Sequence, residues 1–484
     1  MAYLDCRQNK RNKHDAIQFE MQAEDRILTL YEKLLERTYH PSSSICFVSE
    51  KPKLREIFAA NFEDRIIHHL LVRYLEKIWE PIFIFDSYAS RKNKGIHLAI
   101  KRLQRFMWRA SHNQTRPVFY MQLDIKNFFP QIDKPILNQL IRSKCQDSDI
   151  RWLTHLIIYH DPTKDYQLKS PKELLLRIPK QKSLFDRDHY KGLPIGNLTS
   201  QFFANIYLNE LDQYVKHHLK CQFYMRYVDD FVLLHPDKKQ LMEWFHLIQT
   251  FLKFHLRLEL NEKRTKIQPI SNGINFLGYI VRPDYILTRN RVVSNLKEKL
   301  HAYEKQLISK QPIFIKINYN EQTVESLFSS LNSYLGHFKH ADTHRLKKKL
   351  FKTHHWLTYY FYVTPRRRLK RFDSCPKNFK NMRTQYLYFM KRFHYAIIFF
   401  QVGCFYEFYD QQAVRAVKIL GLRYIKKKYG FNKRAGIGCK GLTKFIHKAI
   451  QNGFMVVVIQ QQDEILTYTK KRKLADIYIA QKNF

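Results

Sequence analysis

At 484 residues with 45% hydrophobic side chains, the chain is long enough for two to four domains, each with its own core. Its 84 Lys and Arg against 43 Asp and Glu give a formal charge of +41, so its surface calls for a polyanion, and long nucleic acid is the default partner. Seven cysteines without a Cys-x-x-Cys argue against a zinc ribbon or disulfide framework, and neither a membrane-length apolar run nor an apolar signal core occurs, so a reduced, soluble, cytoplasmic protein is expected.

Residues 1–114 read mostly as helices, with charged and apolar positions at helical spacing. The pattern breaks at Asp86-Ser87-Tyr88-Ala89-Ser90-Arg91-Lys92-Asn93-Lys94-Gly95, which precedes a predicted helix over about 97–109. Taken alone, this is an exposed basic loop. Phe119-Tyr120-Met121-Gln122-Leu123 then reads as an apolar strand that delivers Asp124 at its end, followed by Ile125 and the paired rings Phe128 and Phe129. Residues 133–191 read as helical and polar. After them Gly192-Leu193-Pro194-Ile195-Gly196-Asn197-Leu198-Thr199-Ser200-Gln201 feeds a helix over 202–208, an arrangement that lets backbone approach a nucleotide closely.

Next comes Phe223-Tyr224-Met225-Arg226-Tyr227-Val228-Asp229-Asp230-Phe231-Val232-Leu233-Leu234. Two adjacent carboxylates between apolar stretches belong at the turn of a β-hairpin. Burying two like charges is costly unless something positive neutralises them, and a hard divalent cation with oxygen ligands suits that task. A lone Tyr-x-Asp-Asp is equally a surface turn. With Asp124, however, three carboxylates from two strands can hold two Mg²⁺ ions, and ions roughly 3.5–4 Å apart clamp the attacking and leaving oxygens of a phosphoryl transfer.

A helix over about 238–255 leads to Leu258-Glu259-Leu260-Asn261-Glu262-Lys263-Arg264-Thr265-Lys266 and a strand pair over 273–280, closed by Arg282-Pro283. From about 288 to 362 the pattern is helical, basic and aromatic, and it includes Ser333-Tyr334-Leu335-Gly336-His337-Phe338-Lys339-His340. Pro365-Arg366-Arg367-Arg368-Leu369-Lys370-Arg371 opens a basic stretch. Short strands and helices follow it.

The order and spacing of the 86–97 loop, the Asp124 strand, the Gly/Pro loop and the Asp229-Asp230 hairpin resemble the palm of reverse transcriptases. The resemblance implies an α+β right-hand polymerase: an N-terminal helical region and fingers over 1–114, a palm over 115–285 with a helical insertion at 133–191, and a helical thumb over 286–364. It implies Asp124, Asp229, Asp230 and the backbone carbonyl of Ile125 as ligands of two Mg²⁺ ions. Arg91 and Lys92, with Lys94, would meet the incoming triphosphate, Arg91 also stacking on a base. Lys263 and Lys266 are both candidates for a base near the triphosphate, although such lysines usually lie on a solvated face. Phe129 would stand under the sugar and clash with a 2′-hydroxyl, and core packing is the alternative for either ring. Ile195, Gly196 and Gln201 would border the nucleotide. Template RNA, the RNA–DNA duplex and deoxynucleoside triphosphates are the implied partners.

Where this family commonly has Gln after the Pro of the Gly/Pro loop, the chain has Ile195. Ile195-Gly196, Asn197-Leu198-Thr199-Ser200-Gln201 and the 334–340 block resemble the reverse transcriptases of diversity-generating retroelements, a likeness covering about 62–347. Those enzymes copy a template RNA with errors opposite adenine and work with a small basic accessory protein. The alternatives are another prokaryotic reverse transcriptase of ordinary fidelity, of a defence or unassigned kind, or an RNA-binding protein without catalysis.

Beyond a basic linker at 365–381, residues 382–484 read as a small α/β module. Ile397-Ile398-Phe399-Phe400-Gln401-Val402-Gly403-Cys404-Phe405-Tyr406-Glu407-Phe408-Tyr409, a helix with Ala413, Ala416 and Leu420, Ala435-Gly436-Ile437-Gly438, a helix over about 442–452 and a strand over 454–460 resemble MutS domain I, the mismatch-recognition domain. There the Phe of a Phe-x-Glu wedges against a mispaired base while the Glu bonds it. Phe405 and Glu407 occupy those positions, and Cys404 replaces the acidic residue usual after the Gly. A core Phe405 in a plain α/β module is the alternative. No Gly-x-x-x-x-Gly-Lys-Ser/Thr occurs in this sequence, so mispair binding without ATP-driven signalling is expected.

Overall fold

The computed structural model describes all residues except 9, 11, 51–52, 365–368, 372–378, 380, 427–428, 467–468 and 482–484, so most of the expected linker lies outside the described residues. The chain divides into two compact units, Met1–Tyr285 and Ile286–Phe484.

The first unit is organised around a four-stranded antiparallel sheet in the order Phe223–Tyr227, Asp230–His235, Phe119–Asp124, Lys266–Pro269. Side chains of a strand alternate between faces. Met121, Leu123, Phe231 and Leu233 accordingly share one core with residues of the helices Phe62–Trp79, Leu198–Gln213 and Lys238–His255. The other face meets the helix Ile96–Ala110, where Phe106 lies edge-on to Phe223. Leu198–Gln213 is buried on nearly every side.

A second, small sheet was not expected in a region read as helical. Ser44–Ser49 pairs antiparallel with Arg55–Ala59 and parallel with Tyr166–Leu168. Its strands are too short to show a period against the helical background. They are held by a satellite cluster of Cys46, Phe58 and Leu184. Within the expected insertion, the helices Lys134–Lys144 and Ser148–Tyr159 are started by side-chain caps from Asp133 and Asp147.

The second unit is built on a seven-stranded sheet, in the order Ile308–Lys310, Phe314–Asn318, Thr469–Ala480, Val456–Leu466, Ile397–Val402, Phe405–Tyr409, Arg434–Gly438. Phe314–Asn318, inside the segment expected to be a helical thumb, pairs with Asp476–Ala480 near the other end of the unit. Two cores cover the two faces. Ile398, Phe400, Val457 and Ile459 pack with residues of the helices Asn290–Leu307, Glu321–Phe338 and Met382–Arg392. Ile397, Phe399, Val456 and Val458 pack with the helices Gln411–Leu420 and Leu442–Gln451. Burial on both faces explains the unbroken apolar run at Ile397–Phe400.

Candidate active site

The carboxylates are brought together by register. Asp124, last in its strand, pairs directly with Asp230, first in the neighbouring strand. The hairpin between Tyr227 and Asp230 turns in two residues, and Val228 adopts φ +55°. A β-branched residue in that region is strained and persists only when its surroundings hold it. Arg226 does so. Its fully buried guanidinium donates to the Val228 carbonyl at 3.0 Å and forks onto Asp212 at 2.8 and 2.6 Å. It also reaches Ser87 Oγ at 3.2 Å and Asn205 Oδ1 at 3.3 Å.

Burial, and then the charge of Asp124, pushes the Asp229 carboxyl up to about 6. Asp230 is pushed up to about 7 by burial and by both neighbours. Asp124 instead accepts from Arg264 Nη1 at 2.9 Å and Asn261 Nδ2 at 3.1 Å, while the Asn261 amide donates to the Asp124 carbonyl at 2.8 Å. Among the described residues no three His, Cys, Asp or Glu side chains form a ready-made metal cage, and Asp124 is paired with Arg264. The donor set still fits Mg²⁺: it is all oxygen, and its mutual repulsion is what a hard cation relieves. Asp124, Asp229 and Asp230, beside Ile125, are the residues that would hold it.

These residues line one cleft of about 460 Å³, together with Phe128, Phe129, Ile195, Gly196 and Gln201. Phe128 is buried in the core, and Phe129 is half-buried and packs against the same core, while both rings border the cleft. They sit on a short helical turn, Phe128–Gln131, after Asn127 in a left-handed conformation, and not on a strand. Gly196 serves packing in this structure. At φ +130°, a Cβ there would stand 2.6 Å from the Phe58 carbonyl oxygen, so glycine lets the loop lie against Arg55–Ala59. The Ile195 carbonyl accepts from the Phe58 amide at 2.8 Å, and Gln201 Oε1 accepts from Ser90 Oγ at 2.8 Å.

The cations expected at the triphosphate are placed elsewhere. Arg91 is buried and bonded to Glu80, with Nη1 donating to the carbonyls of Ile84 and Ser87 at 2.7 and 3.0 Å. Lys92 pairs with Glu76 at the surface, and Lys94 donates to the Phe85 carbonyl. None of the three lines the cleft, and neither do the exposed Lys263 and Lys266. Among the described residues the cleft's cations are Lys53, Arg55, Lys182 and Arg264. Sequence reasoning missed all four; Arg55 opens its strand and Lys53 lies just before it. Burial, followed by the charges of Arg264 and Arg55, holds Lys53 below its ordinary value.

In the second unit Phe405 is 54% exposed at the start of its strand. Glu407 is buried, and its carboxylate is held by Arg434 and the Tyr409 hydroxyl. The pair expected to meet a base together is thus split between one open ring and one occupied carboxylate. A base reaching Glu407 has to displace Arg434.

Residues 48–281 match the family of reverse transcriptases (RNA-dependent DNA polymerases). The chain carries a reverse transcriptase domain. Residues 380–479 match MutS domain I. The group II intron-encoded protein LtrA of Lactococcus lactis subsp. cremoris is 24% identical over 54% of this chain and 50% of its own length. The chain thus spans about half the length of that relative. The retron Ec73 reverse transcriptase of Escherichia coli is 26% identical over 69% of this chain and 97% of its own length. The DNA mismatch repair protein MutS of Clostridioides difficile is 31% identical over 17% of this chain and 9% of its own length. Among the described residues no helix is long and apolar enough to cross a membrane.

Proposed function

We propose that the chain is an RNA-directed DNA polymerase that extends a DNA strand on template RNA, joining the primer 3′-oxygen to the α-phosphorus of a deoxynucleoside triphosphate and releasing pyrophosphate. The observation that carries this reading is the register pairing of Asp124 with Asp230 beside Asp229, in the cleft of a reverse transcriptase domain. Two Mg²⁺ ions would stabilise the charge developing on the attacking and leaving oxygens. Asp124, Asp229 and Asp230 hold the cation charge, Phe129 sets the sugar position, and Lys53, Arg55 and Arg264 counter the triphosphate. Asp124→Asn or Asp229→Asn should abolish extension while leaving RNA binding near wild type. Extension above a few per cent of wild type by either variant refutes the assignment.

A finer reading is favoured by Ile195, which lines the cleft where the family commonly has Gln. Ile packs but cannot hydrogen-bond, and one lost polar contact is worth roughly 0.5–1.5 kcal/mol, enough to weaken discrimination by about twofold and at most about tenfold if it acts differently on right and wrong pairs. We infer the error-prone synthesis of a diversity-generating retroelement, acting with a basic accessory protein in the cytoplasm. Sequencing cDNA made on adenine-containing RNA tests it. Ile195→Gln should lower errors opposite adenine more than opposite other bases. Faithful copying by the wild type leaves a reverse transcriptase of ordinary fidelity. The region matching MutS domain I would bind mispairs through Phe405, with Glu407 freed by a shift of Arg434.

A further inference from the structure

Cys404 replaces the acidic residue usual at its place in MutS domain I, and the structure gives it a partner. It lies in the two-residue turn Gly403-Cys404 between the strands Ile397–Val402 and Phe405–Tyr409, where Val402 pairs with Phe405. Phe405 pairs in turn with Gly438, in the strand Arg434–Gly438 at the edge of the seven-stranded sheet. One step further along that register Cys404 stands opposite Cys439, and the Cys439 amide donates to the Cys404 carbonyl at 3.0 Å. Residues opposed across such a bond have Cα atoms about 5.5 Å apart, inside the roughly 4.4–6.8 Å that a disulfide spans. The Cys439 sulfur faces the turn: Gln401 Nε2 lies 3.9 Å from Cys439 Sγ and donates to the Gly403 carbonyl at 3.2 Å.

These two thiols differ from the others. Among the described residues Cys6, Cys46, Cys145 and Cys221 are buried, whereas Cys404 is exposed and Cys439 is partly so. A buried thiol behaves as a small apolar side chain and is inert to reagents it cannot meet; an exposed one is open to exchange. Burial, and then the charge of Cys404, raises the Cys439 thiol above its ordinary value. Cys404 is therefore the sulfur that attacks first, and Cys439 the one that resolves.

We infer that Cys404 and Cys439 form a reversible cross-strand disulfide, with a low-molecular-weight disulfide as the oxidant. The Cys404 sulfur, its proton passed to water, attacks one sulfur of the small disulfide. That S–S bond breaks, and the small thiolate that leaves takes up a proton. The Cys439 sulfur, likewise deprotonated, then attacks the Cys404 sulfur of the mixed disulfide and expels the second small thiol. Two protein thiols thus give up two protons and two electrons, and one small disulfide gains them as two thiols. The new bond staples the turn before Phe405 to the edge strand, at the end opposite Arg434. Its exposure makes it easy to reduce again. The inference depends on neither the polymerase reading nor the mispair reading.

The test equilibrates the full chain in mixtures of reduced and oxidised glutathione, traps the remaining thiols by acid and alkylation, and maps linked peptides by mass spectrometry without reduction. A Cys404–Cys439 link should appear, half-formed at a [GSH]²/[GSSG] on the order of 1 mM or more, because opposed thiols act at an effective concentration no lower than that of a short flexible tether. Cys439→Ser should stop at a glutathione mixed disulfide on Cys404, and Cys404→Ser should form no link. Hydrogen exchange of the amides at 435–439 should slow about tenfold when the wild type is oxidised, recover with dithiothreitol, and stay unchanged in Cys439→Ser under the same oxidant. A link through Cys375 or a buried cysteine in place of this pair overturns the inference, as does a midpoint well below about 1 mM. Unchanged exchange in the linked wild type overturns the staple. Mapping of the wild type needs no variant, so it decides the link even where a Ser variant fails to fold.

Discussion

The buried pair Arg226–Asp212 joins stability to catalysis in a way that one set of variants can separate. Both side chains are 0% exposed, and the Tyr224 hydroxyl also donates to Asp212 at 2.6 Å. Asp212→Asn leaves a guanidinium in the core without its counter-charge, and breaking a buried pair from one side costs about 3–5 kcal/mol. Against a domain stability of about 5–15 kcal/mol, that is a large share. Urea unfolding should show a lower midpoint with an unchanged slope. The double variant Arg226→Met with Asp212→Leu removes both charges and keeps the volume, so most of the lost stability should return. It cannot restore the donor to the Val228 carbonyl. The turn at φ +55° then loses its clamp, and Asp229 its fixed position. Extension should therefore stay at least tenfold below wild type although the fold has recovered. Full recovery of extension would show that Arg226 only fills the core. A cost below about 1 kcal/mol for Asp212→Asn would refute the desolvation argument itself.

Phe129→Ala should open the pocket beneath the sugar and raise incorporation of ribonucleotides relative to deoxynucleotides; an unchanged ratio places the sugar gate elsewhere. His68 is buried, and burial pulls it down to about 4 from an ordinary value near 6.5, against a weaker opposing pull from Asp64. The folded state then resists a proton that the unfolded chain accepts, so stability present above pH 6.5 is lost as pH falls through 4, by up to about 3 kcal/mol. His68→Gln should flatten that acid limb in urea titrations at pH 7 and pH 4.5, and an unaltered limb assigns the loss to other groups. For mispair recognition, Phe405→Ala in the full chain should reduce the preference for mispaired over matched duplex about tenfold, whereas equal wild-type affinity for the two removes the wedge reading.

The meeting of the three cleft carboxylates was legible because a period of two and a two-residue turn are local. Once Phe119–Leu123 and Phe231–Leu234 are read as strands, Asp124 and the Asp229-Asp230 pair must lie at strand ends. The cations were not legible, because a local pattern does not say which way a long side chain turns. Arg91 finds Glu80, which ends a helix eleven residues earlier, and does not line the cleft. Of Lys263, Arg264 and Lys266, the one reaching Asp124 is chosen by the tight turn Glu262–Arg264 together with the Asn261 amide on the Asp124 carbonyl.

Long-range pairing hid the rest of the second unit. Ile315-Lys316-Ile317-Asn318 alternates as a strand should, but four residues between helical patterns carry little weight until their partner is known. That partner, Asp476–Ala480, lies about 160 residues further on. The run Ile397–Phe400 already contains the clue. Four successive apolar residues need cover on both faces, and the helices Gln411–Leu420 and Leu442–Gln451 supply it for one face only. The other face is covered by Asn290–Leu307 and Glu321–Phe338, from the segment read as a thumb. Residues on both sides of 365–381 therefore share one core, and removing 286–364 would strip Ile398, Phe400, Val457 and Ile459 of every one of the three helices but Met382–Arg392. At roughly 1.5–3 kcal/mol for each large side chain, that loss rivals the stability of a whole domain.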